Sequence, residues 1–261
     1  MSVLDEYYRQ TGFLYIGDAG NLALDWQNAF EATDSIRLAS GVSWERQEGN
    51  DNSFPESDGE SHAWFAQAEI ASGEDIDLVL GARNDDYEFS GSKTTWRANG
   101  LWRLNDRLHA RAAFGTAFRA PNFFRLFSTS SFALGNPNLK PEESEGWEIG
   151  IDGYSDNGDI KAGITYFSND IENLIIWTPT EGFDGTYENR DIAENYGVES
   201  YVDLEIRDDW TATIAYTWTE SNSTNLAFGS TTRQPAIPRH QFSFSNAIRI
   251  GQKLKLPAAA L

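Results

Sequence analysis

Apolar and polar residues alternate with a period of two along most of this chain. Trp147, Ile149 and Ile151 are interleaved with Glu148, Gly150 and Asp152, and Ile160, Ala162, Ile164 and Tyr166 with Lys161, Gly163 and Thr165. The same pattern carries Val202, Leu204 and Ile206, then Trp210, Ala212, Ile214, Tyr216 and Trp218, then Phe242, Phe244, Ile248 and Ile250. A period of two sends successive side chains to opposite faces of a strand, and helical spacing fits none of these runs. The chain is predicted to be all-β, with about 12 strands at 11–17, 22–30, 35–47, 61–71, 75–88, 93–104, 107–118, 144–154, 159–171, 190–206, 210–221 and 239–250. Many exceed the usual soluble strand of about 5–6 residues. They match the roughly 9–11 residues that a tilted strand needs to cross a bilayer.

The connections carry a second pattern. Short polar turns near 31–34, 72–74, 105–106, 155–158 and 207–209 alternate with long segments near 48–60, 89–92, 119–143, 172–189 and 222–238. A small turn at 18–21 fits the long-segment side by parity. Outer-membrane barrels show this asymmetry, with short periplasmic turns and longer outer loops. Within one short turn, Asn157-Gly158 predicts the positive φ values of a primed hairpin. Trp26, Trp44, Trp64, Trp96, Trp102, Trp147, Trp210 and Trp218 share the apolar parity, several near strand ends, where membrane interfaces favour amphipathic rings. The opposite parity carries Arg37, Arg83, Arg97, Arg103, His109, Arg111, Glu148, Asp152, Lys161, Glu199 and Asp203. An antiparallel transmembrane β-barrel accounts for both faces. A soluble β-sandwich, burying the apolar face against a second sheet, is the alternative.

Composition narrows the function. The 261 residues include 20 Lys+Arg against 40 Asp+Glu, a formal net charge of −20, with no Cys. Thiolate metal sites and disulfides are excluded, and so strongly acidic a chain does not suit nucleic acid. No apolar run is long enough for a spanning helix, and the first residues do not read as a signal peptide. His62, His109 and His240 stand apart from any metal-protease, nucleophile-elbow or P-loop pattern, so no catalytic residue, cofactor or metal is predicted. The acidic stretch 48–60 has carboxylates for calcium but lacks the spaced ligands of an EF-hand, and reads as a solvated loop.

Two motifs stand in the longest loop. Phe118-Arg119-Ala120-Pro121 ends a strand, and Gly135-Asn136-Pro137-Asn138-Leu139-Lys140-Pro141-Glu142-Glu143-Ser144 leads into the next. The prolines stop pairing on either side of a turn-rich loop. This pair closely resembles the C-terminal barrel half of TonB-dependent outer-membrane receptors, in which a strand end "F-R-A-P" and a loop "G-N-P-x-L-K-P-E-x-S" recur. Gly81-Ala82-Arg83-Asn84-Asp85-Asp86 with Lys93-Thr94-Thr95-Trp96-Arg97 is similar to the vitamin B12 and siderophore receptors, and Gly197-Val198-Glu199 to the family's strand start. The likeness covers about 35–250. Arg125-Leu126-Phe127 departs from the Glu-Leu-Tyr common in relatives.

The resemblance implies an outer-membrane receptor of a Gram-negative bacterium, active in uptake of a metal chelate, cobalamin or a ferric siderophore. It implies a 22-strand wall around a plug domain, energised through TonB acting on the plug, in contact with outer-membrane lipid and lipopolysaccharide. Residues 1–261 are expected to form part of that wall, with plug, energy-coupling box and final strands outside the sequence. Outer loops are expected to contact ligand through Phe123, Phe124, Phe127, Phe132, Trp177, Phe183, Tyr187 and Phe228. The polar-face arginines are read as wall ion pairs or plug contacts in preference to an anion-binding lining. The alternative is a self-sufficient 12-strand barrel: a porin, an autotransporter translocator or a membrane hydrolase.

Overall fold

The computed structural model describes residues 3–10, 13–180, 182, 184–234, 236–250 and 254–260. Fourteen strands form one antiparallel sheet: β1 (Val3–Gln10), β2 (Phe13–Thr33), β3 (Ile36–Asp51), β4 (Phe54–Ser72), β5 (Ile76–Tyr87), β6 (Gly91–Asn105), β7 (Leu108–Arg119), β8 (Glu142–Tyr154), β9 (Ile160–Pro179), β10 (Gly185–Arg207), β11 (Trp210–Asn225), β12 (Ser230–Arg233), β13 (His240–Ile250) and β14 (Leu254–Ala260). Each pairs with its sequence neighbour, except that β12 folds back on β11 and β13 takes the next place in the order. A short helix, α1 (Phe123–Phe127), and a single 3-10 turn at Ser131–Ala133 interrupt the β structure between β7 and β8.

Among the described residues every strand belongs to this one sheet, so no second sheet covers the apolar face, and the sandwich alternative falls. Trp26, Val42 and Trp64 lie directly across from one another on β2, β3 and β4 and are each more than half exposed. Ile151 and Ile164 stand opposite on β8 and β9 and are exposed too. Lipid, not water, suits so wide an apolar band. Its rim is aromatic: Trp96 stacks on Phe114, Trp147 leans on Tyr166, and Tyr196 meets Trp218 edge-on.

The other face is laced with ion pairs: Arg37–Glu69 at 3.3 Å, Arg83–Asp85 at 2.8 Å, Arg103–Asp77 at 2.5 Å and Arg111–Asp152 at 3.1 Å. Tyr201 adds a hydrogen bond from its hydroxyl to Asp152 Oδ1 at 2.7 Å. Arg37, Arg83, Arg103 and Arg111 are matched by acids on the wall itself, and Arg97 donates to Gln67 Oε1, which favours the wall reading over an anion-binding lining.

Three sequence expectations need correction. Predicted strands 11–17 and 22–30 are one strand, β2; no turn breaks it at 18–21, because Gly17–Asn21 pair with β3 on one edge and Gly17–Gly20 with β1 on the other. The segments 48–60 and 172–189 are not loops over most of their length but hairpin arms, with Glu48 opposite Asp58 and Thr186 opposite Thr178. Backbone pairing continues there because a wet hairpin needs no apolar face to satisfy its ladder. At 155–158 only Gly158 has positive φ, at 79°, and its N–H donates to Ser155 O at 3.0 Å. Asp156 and Asn157 keep ordinary φ, so the turn is of the common type closed by glycine and not a primed one.

Candidate functional site at the outward loops

The segment 120–141 between β7 and β8 crosses the top of the sheet as a strap. Pro121 ends pairing, and Asn122 then starts α1: its Oδ1 accepts the Arg125 N–H at 2.9 Å. α1 drops Leu126, 2% exposed, into a small core with Leu139 and Ile175, against which Phe127 and Tyr187 pack. Gly135 closes the fold of the strap on itself. A Cβ there would lie 2.5 Å from Ser128 N and 2.7 Å from Leu126 O, so only glycine fits.

Both ends of the strap are tied to hairpin arms. On one side the Thr129 N–H donates to Ser53 O at 2.6 Å, at the tip of β3–β4. On the other, Leu134 N–H reaches Gly185 O at 2.8 Å, Asn136 Nδ2 reaches Tyr187 O at 2.9 Å, and Lys140 N–H reaches Asn189 Oδ1 at 2.7 Å. Asn189 Nδ2 also donates to Lys140 O and Asn173 O, each at 2.8 Å. Asn173 sits at a register shift with φ 57°, a conformation asparagine tolerates.

The two sequence motifs meet at Glu142, the first residue of β8. Its Oε1 accepts the Ile175 N–H at 2.9 Å and lies 3.6 Å from the Arg125 guanidinium; Oε2 lies 3.8 Å from Arg119. Arg119, Ala120, Pro121, Gly135, Asn136, Pro137, Leu139, Pro141 and Glu142 therefore belong to the strap or its seams, where Gly135, Asn136, Leu139 and Glu142 make named contacts.

The eight candidate aromatic residues divide. Phe123 and Phe127 stack on each other and meet Phe89 edge-on, while Phe124 meets Phe54 and Tyr187. These three and Tyr187, with Phe54 and Phe89, form the packing that seats the strap. Phe132 and Trp177 form an exposed pair, 62% and 40% exposed, with Trp177 Nε1 donating to Phe132 O at 2.9 Å. Phe228 is 80% exposed, under the Arg190 guanidinium at 5.9 Å, and apart from the others. Phe183 lies outside the described residues.

The strap lies against the polar face. A Cβ at Gly59, on the parity of Gln67 and Glu69, would sit 3.5 Å from Phe123 and 2.9 Å from Phe89. Between strap and sheet runs a cleft of about 340 Å³, lined by Gln47, Glu60, Tyr87, Glu88, Phe89, Phe118, Arg119 and Asn122 among others. Burial pushes the Tyr87 phenol above its ordinary 10.0, the Asp85 and Glu45 carboxylates add to the shift, and Arg83 opposes it. Sequence reasoning missed Phe54, Phe89 and Asn189, whose partners are far along the chain. No group of three or more acids or histidines in metal-holding geometry occurs among the described residues.

Comparison with known proteins fits this geometry. Residues 2–251 match the family model described as TonB dependent receptor-like, beta-barrel. The chain is 31% identical over 181 residues to a vitamin B12 transporter of Photobacterium profundum, covering 67% of this chain and 29% of that protein. It is 30% identical over 201 residues to an iron-regulated outer membrane virulence protein of Vibrio cholerae, covering 69% and 30%. A ferric enterobactin receptor of Pseudomonas aeruginosa, solved with enterobactin, superposes with a TM-score of 0.79 at 21% identity, over 95% of this chain and 42% of that one. The chain thus spans under a third of these curated relatives.

Proposed function

We propose that this chain, which belongs to the TonB-dependent receptor β-barrel family and is an outer-membrane protein, works in active uptake of a metal chelate, cobalamin or a ferric siderophore. The observation that carries the reading is the sequence shared with the vitamin B12 transporter, 31% identical over 181 residues and 67% of this chain. The exposed Phe132–Trp177 pair and Phe228 are the residues we assign to first contact with ligand. Phe123, Phe124, Phe127 and Tyr187 act beneath them by holding the strap in place. The polar-face ion pairs face a plug domain, through which TonB acts, and further strands complete the wall. The support for that larger assembly is the part-length match to relatives, 29% of the vitamin B12 transporter. Catalysis has no part in this reading.

The test is uptake. Cells lacking the gene, cells lacking TonB and their parent are given radiolabelled cyanocobalamin and ferric siderophores of several classes under scarcity. Loss of accumulation of one chelate in both mutants supports the proposal. Unchanged accumulation of every chelate in the gene deletion sinks it, as does TonB-independent passage, which points to a porin-like barrel.

A further inference from the structure

We infer that the chelate taken at this outward end is uncharged or cationic, and that polyanionic chelates are disfavoured. This deepens the uptake reading and rests on it. Outward of the aromatic rim lie residues 45–62, 85–95, 115–146, 169–195 and 219–241, which hold 20 acidic and 8 basic residues. An anionic ligand needs cationic groups that are free to meet it, and here they are committed. Arg46 pairs with Asp58, Lys93 with Glu143, Arg119 and Arg125 with Glu142, Arg190 with Glu188 and Asp191, and Arg233 and Arg239 with Glu220, at 2.5–3.9 Å. Among the described residues seven of the eight Lys and Arg are thus matched, with no ion pair at Lys140.

The acids are in excess and in places stand against one another. Glu143 lies opposite Glu172, and Glu145, Asp170 and Glu194 form a row across β8, β9 and β10. Like charges directly opposite are destabilising, so the fold carries this field at a cost. A second observation concerns what the surface does offer. Phe132 and Leu134 of the strap and Trp177 of the β9–β10 arm make an exposed apolar patch, with Leu134 51% exposed. Aromatic faces carry negative charge density and attract cations as well as flat neutral groups. Field and patch therefore select in the same direction. A fixed charge of one sign changes capture rates about tenfold or more, and salt screens it.

Outer-membrane vesicles from cells making the intact protein, with gene-deletion vesicles as background, are titrated with three probes: uncharged cyanocobalamin, cationic ferrioxamine B and trianionic ferric enterobactin. The expected result is deletion-sensitive binding of one of the first two, at least about tenfold tighter than ferric enterobactin at low salt. In the charge-reversed variant Glu48→Lys, Glu56→Lys, Asp184→Lys, at three exposed positions, that gap narrows. Deletion-sensitive binding that is tightest for ferric enterobactin overturns the inference while leaving the uptake reading standing. No deletion-sensitive binding of any probe counts against the uptake reading itself and takes the inference with it.

Discussion

Glu142 shows how much one carboxylate can organise. It is 11% exposed at its side chain, holds the Ile175 N–H and stands between Arg119 of the other sequence motif and Arg125 of α1. Glu142→Ala leaves that N–H and the mostly buried Arg125 without their partner, at about 1–3 kcal/mol. Glu142→Gln keeps an acceptor and costs less. Tryptic cleavage after Arg125 in folded protein should accelerate in the order wild type, Gln, Ala. Tyr87 gives the pH counterpart. Its pKa is raised in the folded state, so its contribution is complete below about pH 10 and is lost as pH climbs past the unfolded value towards the folded one. Proteolysis of the outward arms should therefore rise as the pH climbs above about 10, and Tyr87→Phe should flatten part of that rise. Neither residue's role was legible beforehand. Glu142 was visible as a motif letter, but its partner Ile175 is 33 positions away and joined only through the register of β8 and β9.

In the proposed uptake reading, buried residues of the strap and arms give support and exposed ones make contact. Leu126→Ala empties the strap's small core, costing about 2–5 kcal/mol, and should both expose the strap to protease and abolish ligand capture. Phe132→Ala and Trp177→Ala remove exposed rings and should weaken ligand binding roughly 3–10-fold with protease resistance intact. Equal effects from both kinds of variant would contradict the division. Strand identity was readable from Trp147-x-Ile149-x-Ile151 and its like, because one medium on each face writes a period of two into the sequence. Strand ends were not readable. Beyond the rim both faces are wet, so Glu48 and Asp58 pair across a hairpin with nothing in their chemistry to separate strand from loop. Helix α1 is too short for a 3.6-residue pattern to repeat, and Phe89 and Phe54 reach it from other hairpins.

On the scale of the whole sheet, two faces demand opposite things of one substitution. Ile164, on the apolar band, and Glu199, exposed on the polar face, lie on the adjacent strands β9 and β10. Ile164→Arg should cost about 2–4 kcal/mol near the bilayer centre, whereas Glu199→Arg should be nearly neutral. Urea titration of protein refolded in lipid vesicles measures both, and equal costs would refute the assignment of faces. The strap adds a consequence for motion. It is bolted to the β3–β4 arm at Ser53 and to the β9–β10 arm at Gly185, Tyr187 and Asn189. The strands between these anchors are braced like the posts of a door frame joined by a lintel. On the uptake reading proposed above, this stretch is the fixed jamb, and whatever moves to admit a bulky cargo lies outside it.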